Sequence, residues 1–271
     1  MEAQIILDAT RAALSLSFLF YASWSDYKTR EVSNSVWVLF APIALALTLA
    51  KLLLFASSQL IFYGICIGLT TAFAMILFYA GGFGGADAKA LICLALALPF
   101  YPQESFMPLS RQISPISEIF FPLTIFSNAV ILVIVPVLWI VSRNVLWRWR
   151  TGKRLFEEGQ RTESVGKKIL VLITGYKVPI KKLKEKWHVY PLEDIEENVE
   201  SGFRRKLVVL PKDEGRDAVV GRLDKAIETG TIQDDVWASP GLPMLILVTL
   251  GLIVALFFGD IVWTLVTVLL R

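Results

Sequence analysis

Gly81-Gly82-Phe83-Gly84-Gly85-Ala86-Asp87 stands between two apolar runs, Leu60 to Ala80 before it and Ala90 to Phe100 after it. A carboxylate between hydrophobic spans is costly, so it faces a partner, a cavity or a functional site rather than lipid. The partner this sequence offers is Asp26, which closes the first apolar run in Ala22-Ser23-Trp24-Ser25-Asp26. Whether the two carboxylates can meet depends on how the chain crosses between them.

Working outward, apolar runs near the twenty residues needed to cross a bilayer mark about six spans. They cover roughly Ile6 to Trp24, Asn34 to Phe55, Leu60 to Ala80, Asp87 to Tyr101, Ile119 to Val141 and Leu242 to Phe258. Pro136 in the fifth is a kink of the kind transmembrane helices tolerate. Gly259-Asp260 then reads as a helix stop at the outer face before the apolar tail Ile261 to Leu270. The first run has a thin basic flank, with Asp8 ahead of Arg11, and reads as a retained helix rather than a signal peptide.

Of the 271 residues 55% are hydrophobic and 19% charged, and the charges are unevenly spread. About three quarters of the Lys and Arg and two thirds of the acids lie between Val141 and Asp235. The fold class that follows is a polytopic α-helical membrane protein of about six transmembrane helices, with a small α+β soluble insert between helices five and six. Residues 1–141 form the five-helix membrane region, 142–236 the insert, and 237–271 the C-terminal helix and tail. Within the insert, Lys168 to Ile173 and Lys206 to Leu210 read as strands, Asp217 to Ile227 as a helix, and the acidic stretch Glu193 to Glu200 as a solvated helix or loop.

Basic residues near span ends favour the cytoplasmic side. Lys28 and Arg30 follow span one, Lys89 lies beside the turn between spans three and four, and Arg143, Arg148, Arg150, Lys153 and Arg154 follow span five. The alternate loops hold only Arg111, with Lys51 just before the first of them. The N-terminus is therefore expected outside and the insert in the cytoplasm. On that parity Asp26 leaves span one, and Asp87 enters span four, at the same inner face.

Several chemistries find no support. Cys66 and Cys93 lie inside apolar runs and form no CxxC pair, and the single histidine, His188, has no second His or Cys near it, so no metal site is expected. The formal charge of +3 and clusters such as Lys181-Lys182-Leu183-Lys184 are explained by topology rather than nucleic-acid binding. Asp8 and Arg11 have the i,i+3 spacing of a helical ion pair near the outer interface.

Two carboxyl groups close enough to share a proton can divide the work of hydrolysis. One, ionised, takes a proton from water; the other, protonated, donates to the scissile carbonyl oxygen. Gly84 and Gly85 leave room beside Asp87 for water and a peptide, although small residues also serve close helix packing. Lys89, two positions on, either biases the pair or anchors its helix at the interface. The competing class is a non-enzymatic or ion- or proton-coupled membrane protein using the same carboxylates, which calls for polar residues strung through several spans.

Ser25-Asp26-Tyr27-Lys28-Thr29-Arg30-Glu31-Val32, with Asn34 and Trp37 after it, resembles the first active-site segment of archaeal prepilin and preflagellin (prearchaellin) peptidases. Gly84-Gly85-Ala86-Asp87-Ala88-Lys89 resembles the second, the GxGD-type motif, and Trp237 to Pro243 with Gly259-Asp260 is similar to that family's end. The resemblance implies an intramembrane-type aspartic endopeptidase that removes a short basic leader from type IV pilin-like or archaellin precursors, with Asp26 and Asp87 as the catalytic pair. Gly84, Gly85, Ala86 and Lys89 support the motif, and no cofactor is implied. Ala86 stands where the family carries glycine, which adds a methyl group and disfavours positive φ there. Relatives that also methylate the new N-terminus carry paired CxxC motifs, absent here, so methyl transfer is not implied.

Overall fold

The computed structural model describes residues 2–198, 202–208, 215–241 and 243–270. In chain order its elements are α1 (Glu2–Thr29), α2 (Asn34–Phe55), α3 (Leu60–Tyr79), α4 (Gly85–Ala97), α5 (Pro115–Ile119), α6 (Phe121–Leu132), α7 (Ile134–Thr151), α8 (Glu158–Arg161), α9 (Val165–Thr174), β1 (Tyr176–Pro179), α10 (Ile180–Glu185), β2 (Tyr190–Pro191), β3 (Glu193–Asn198), β4 (Gly202–Leu207), α11 (Arg216–Glu228), β5 (Asp235–Ser239), α12 (Met244–Phe257) and α13 (Ile261–Leu269). They fall into two compact units, Met1–Val133 with Pro243–Arg271, and Ile134–Leu242.

The first unit is a helix bundle that is apolar on its outer faces as well as in its core. α2 buries Trp37, Phe40, Ala44, Thr48 and Leu52 at three- and four-residue spacing, while Val38, Leu39, Leu53 and Leu54 face outward. α3 does the same with Tyr63, Cys66, Thr70 and Ala74 inside. Apolar outer faces of that extent belong in lipid, and this is a membrane protein. Among the described residues four stretches are long and apolar enough to cross a bilayer, Glu2–Thr29, Asn34–Phe55, Ser57–Tyr79 and Phe121–Thr151; α12 and α13, bent by 59°, make a fifth if the pair is one span.

The expected fourth span is shorter than its sequence run. α4 has 13 residues, hence about 20 Å of length against a hydrocarbon core of about 30 Å. It stops at Ala97 because Leu98 precedes Pro99, and a residue before proline is pushed out of the α region. Its small residues, Ala88, Ala90, Cys93, Ala95 and Ala97, are buried, and α1, α2, α3, α6 and α12 all pack against it. The carbonyls at its C-terminal end need donors in a place with little water. Ala97 O accepts from Arg11 Nη1 at 3.2 Å and Thr48 Oγ1 at 3.0 Å, and Leu96 O accepts from Tyr63 Oη at 3.0 Å.

That arrangement places Asp8 and Arg11 together as an ion pair, joined by Lys51 Nζ at 2.7 Å from Asp8 Oδ1. All this lies at the opposite end of α4 from Asp87. The bend between α12 and α13 also differs from a simple stop. Gly259 has φ +109°, and Asp260 starts α13, its Oδ1 accepting from Trp263 N at 3.0 Å and its Oδ2 from Ser114 Oγ at 2.7 Å. Asp260 is buried and caps the start of α13, just after α12 ends at Phe257. The break between α6 and α7 falls at Val133, since Pro136 has no N–H to offer Leu132 O.

The second unit contains a three-stranded antiparallel sheet, order β1-β5-β2, and a separate hairpin of β3 and β4. Two readings of the insert are corrected and a third is met in part. Lys168 to Ile173 belongs to helix α9, capped by Ser164, whose Oγ accepts from Lys167 N at 3.4 Å. The acidic stretch forms strand β3, with Glu193 and Asp194 buried, while Val199 and Glu200 lie outside the described residues. Of Lys206 to Leu210, β4 includes Lys206 and Leu207; Val209 and Leu210 lie outside the described residues. The helix expected over Asp217 to Ile227 is present as α11.

What makes β3 possible is full pairing of its buried carboxylates. Arg205 donates to Glu193 through Nε at 2.9 Å and Nη2 at 2.7 Å, Trp237 N donates at 2.9 Å, and Gln160 adds another bond. Arg222 grips Asp194 with two bonds of 3.0 Å. Fork-to-fork pairing of this kind is the geometry in which a buried carboxylate is tolerated.

Candidate active site

Asp26 comes to its place through helix periodicity. α1 buries Asp8, Arg11, Ala12, Ser15, Leu19, Ala22 and Ser23 on one stripe, and the next position of that stripe is Asp26. It is half-buried, one turn beyond the Ser23 Oγ···Thr249 Oγ1 bond of 2.8 Å that ties α1 to α12. The chain reverses just after it. Arg30 takes a left-handed φ of +57° and its N–H bonds Asp26 O at 2.9 Å, the usual helix-ending geometry but on a residue with a Cβ. Ser25 Oγ and Thr29 Oγ1 hold the far side of the turn, donating to Glu31 O at 2.7 Å and 3.0 Å. The Arg30 charge acts on Asp26.

Asp87 is set by the glycine turn. Gly81 adopts φ +75°, and the N–H groups of Gly82 and Phe83 both bond Leu77 O, at 2.9 Å and 3.1 Å, so the chain doubles back and α4 can start at Gly85. Asp87 is then the third residue of that helix, and its Oδ2 accepts from Gly84 N at 3.0 Å. A carboxylate in this position also meets the positive end of the helix dipole. Side-chain room is tight at one glycine: a Cβ on Gly84 would lie 3.2 Å from Asp87 Oδ2, whereas one on Gly85 would only touch Phe78 at 3.8 Å.

α1 and α4 pack against each other, and the charge of Asp26 reaches Asp87. The two acidic residues singled out in the sequence are thus brought into one neighbourhood. Lys89 is drawn elsewhere: its Nζ donates to Asn34 Oδ1 at 2.6 Å, linking α4 to the first residue of α2. Ala86 lies in the first turn of α4 with its methyl against the bundle core, and its φ is not positive. The backbone freedom expected of the family glycine is therefore not required at residue 86 in this chain.

The sequence uses Arg30 as a marker of the inner face and gives it no tie to Asp26, and it assigns no contact to Asn34. The tie could have been found from the position of Arg30 just past a helix end; the link between Asn34 and Lys89, 55 residues apart, has no local signal. The cavity of about 500 Å³ lined by Arg11, Lys51, Glu104 and Glu118 belongs to the other end of α4 and touches neither Asp26 nor Asp87. Among the described residues no group of three or more His, Cys, Asp or Glu side chains converges as metal ligands would.

A family model described as the Type IV leader peptidase family matches residues 13–138, which include both aspartates and the glycine turn. A second, described as Archaeal Peptidase A24 C-terminus Type II, matches residues 167–261. The chain is 26% identical to a preflagellin peptidase of Methanococcus voltae over 255 residues, covering 92% of this chain and 94% of that protein. It is 22% identical to a preflagellin peptidase of Methanococcus maripaludis over 247 residues, covering 89% and 92%. A preflagellin peptidase of Methanocaldococcus jannaschii is 24% identical over 247 residues, covering 89% and 91%. Two family matches that together span most of the chain, and likeness to preflagellin peptidases along nearly its whole length, support a peptidase of the type IV leader peptidase family.

Proposed function

We propose that Asp26 and Asp87 are the catalytic pair of an aspartic endopeptidase that removes the leader from preflagellin or related type IV pilin-like precursors at the cytoplasmic face of the membrane. The observation that carries the reading is the packing of α1 on α4, which brings the charge of Asp26 to bear on Asp87, itself held by Gly84 N at the glycine turn. In the reaction the ionised carboxylate takes a proton from water as its oxygen attacks the scissile carbonyl carbon. The protonated carboxyl donates to the carbonyl oxygen, and collapse of the tetrahedral adduct releases the amine with a proton from the pair. The two titrations belong to the pair rather than to either residue. Gly84 and Gly85 leave approach space, Ala86 completes the first turn, and Lys89, through Asn34, fixes the angle of α4.

The cytoplasmic assignment rests on Lys28, Arg30 and Lys89 near the pair and on the basic run from Arg143 to Arg154. It puts the 142–236 insert on the same side. The alternative of an ion path calls for polar groups along α4 between its two ends, and the residues buried there after Asp87 are Ala, Leu and Cys. Asp26→Asn and Asp87→Asn should each abolish cleavage of a membrane-inserted preflagellin while leaving expression and insertion unchanged. Near-normal cleavage by either variant removes that residue from the mechanism.

A further inference from the structure

α9 has two apolar faces. Val171 points inward, buried with Leu192, Leu207 and Trp237, and Leu172 packs partly against the same cluster. The opposite side presents Val165, Ile169 and Leu170, exposed by 71%, 52% and 43%. Val165, Ile169 and the half-exposed Ile173 follow i,i+4 spacing, which makes a continuous stripe. Lys167 and Lys168 flank that stripe; Lys167 pairs with Glu163 at 2.9 Å and Lys168 Nζ donates to Arg161 O at 2.6 Å.

The neighbour of α9 in the same unit indicates what covers this face. α9 packs on α7, and Asn144 of α7 pins its end, donating through Nδ2 to Leu172 O at 3.1 Å and Gly175 O at 2.8 Å. Gly175 in turn lies close against the sheet, where a Cβ would collide with Leu192 and Ala238. α7 ends the apolar stretch Phe121–Thr151. Its early residues Val135, Leu138 and Trp139 are exposed and apolar, whereas Arg143, Arg148 and Arg150 begin the charged part. Asn144 therefore fastens α9 where a membrane-crossing helix passes from hydrocarbon to headgroups, and where basic side chains meet lipid phosphates.

We propose that α9 is an interfacial helix, with Val165, Ile169 and Leu170 among the lipid chains and Lys167 and Lys168 at the headgroups, so that the strand-bearing unit lies on the bilayer surface. The three-residue stripe is far smaller than the area a stable dimer needs, while lipid covers it without any further partner. The peptidase reading plays no part in the argument.

The test places single cysteines in the full chain carrying Cys66→Ala and Cys93→Ala. Ile169→Cys, Leu170→Cys and, as a control on exposed α11, Glu228→Cys are labelled with an environment-sensitive fluorophore in vesicles of phosphatidylglycerol and chain-brominated phosphatidylcholine. The labels at 169 and 170 should emit to the blue and be quenched several-fold more than the label at 228. Adding Ile169→Asp to the Leu170→Cys chain should remove most of that quenching, and Ile169→Leu should keep it. Equal quenching at 170 and 228 in the chain with native Ile169 overturns the proposal, as does a blue shift without quenching, which would mean that protein, such as a second copy, covers the face.

Discussion

Arg11 donates from Nη1 to the carbonyl of Ala97 at 3.2 Å, so a residue near the start of the chain completes the last turn of the helix that carries Asp87 in its first. The same guanidinium pairs with Asp8, which is fully buried, and bonds Thr48 Oγ1 at 3.4 Å. Arg11→Met leaves a buried carboxylate with Lys51 alone and should cost about 3–5 kcal/mol. Adding Asp8→Asn should recover part of the loss. Thermal unfolding in detergent measures both, and an unchanged midpoint for Arg11→Met would show that the cluster contributes nothing to the bundle.

Gly84 and Gly85 are neighbours with different surroundings, which makes them a matched pair. Gly84→Ala puts a methyl 3.2 Å from Asp87 Oδ2, so the carboxylate must yield by a few tenths of an ångström. Cleavage should fall by about tenfold, given how steeply rate depends on placement. Gly85→Ala makes only an ordinary contact with Phe78 and should leave the rate near normal. Steady-state cleavage of one precursor by both variants decides the matter; equal rates would mean that the Gly84 contact does not position Asp87.

For Ala86 the structure reverses the expectation raised by its place in the motif. A residue in the first turn of α4 with ordinary helical φ gains nothing from glycine, and Ala86→Gly should lower stability by about 0.5 kcal/mol without raising cleavage. Ala86→Val should impair both, because its methyl already packs on the core. A faster glycine variant would contradict this reading.

In the second unit Glu193 is the hub. Glu193→Ala takes from buried Arg205 its two-bond partner, leaving it Glu157, and should destabilise the unit by about 3–5 kcal/mol. Hydrogen exchange of the full chain should show this as faster exchange in β3, β4 and β5, with α2 and α3 unaffected. Uniform change throughout the protein would count against a local role.

Lys177 supplies a pH test. Burial pushes its ammonium below the ordinary lysine value, against the opposing pull of Glu193 and Glu157. A depressed folded pKa means that the neutral form is favoured on folding: its stability contribution is present above about pH 10.5, the unfolded value, and lost as pH falls through the folded one. The advantage of Lys177→Met in melting temperature over the native chain should therefore shrink as pH is raised towards that value. A gap that widens with pH would reverse the sign.

Much of the bundle could be read from sequence because hydrophobic length and parity are strong signals. Asn34–Phe55 was legible to the residue, bounded by the Ser33 cap and the turn at Ala56. α4 was overextended because an apolar run says nothing of where hydrogen bonding stops, although Leu98-Pro99 marked the place. Ile169 to Ile173 is continuous and rich in β-branched residues, a pattern that length alone cannot assign to helix or strand, and Ser164 was the missed cue. Glu193 and Asp194 read as solvated because their arginine partners lie 12 and 28 residues away. The neighbourhood of Asp26 and Asp87 was reachable by counting crossings; the Lys89–Asn34 link was not.

The shortness of α4 has a consequence for the lipid. A helix about 10 Å shorter than the hydrocarbon sits within neighbours that span it, so membrane thickness sets how deep its charged end lies. Hydrophobic mismatch costs fractions of a kcal/mol per ångström and is relieved by thinning, tilting or snorkelling. Bilayers of longer acyl chains should sink the Asp87 end further from water and slow hydrolysis, while shorter chains should bring it nearer the surface. The enzyme's rate then becomes a readout of bilayer thickness, set by thirteen residues of the polypeptide.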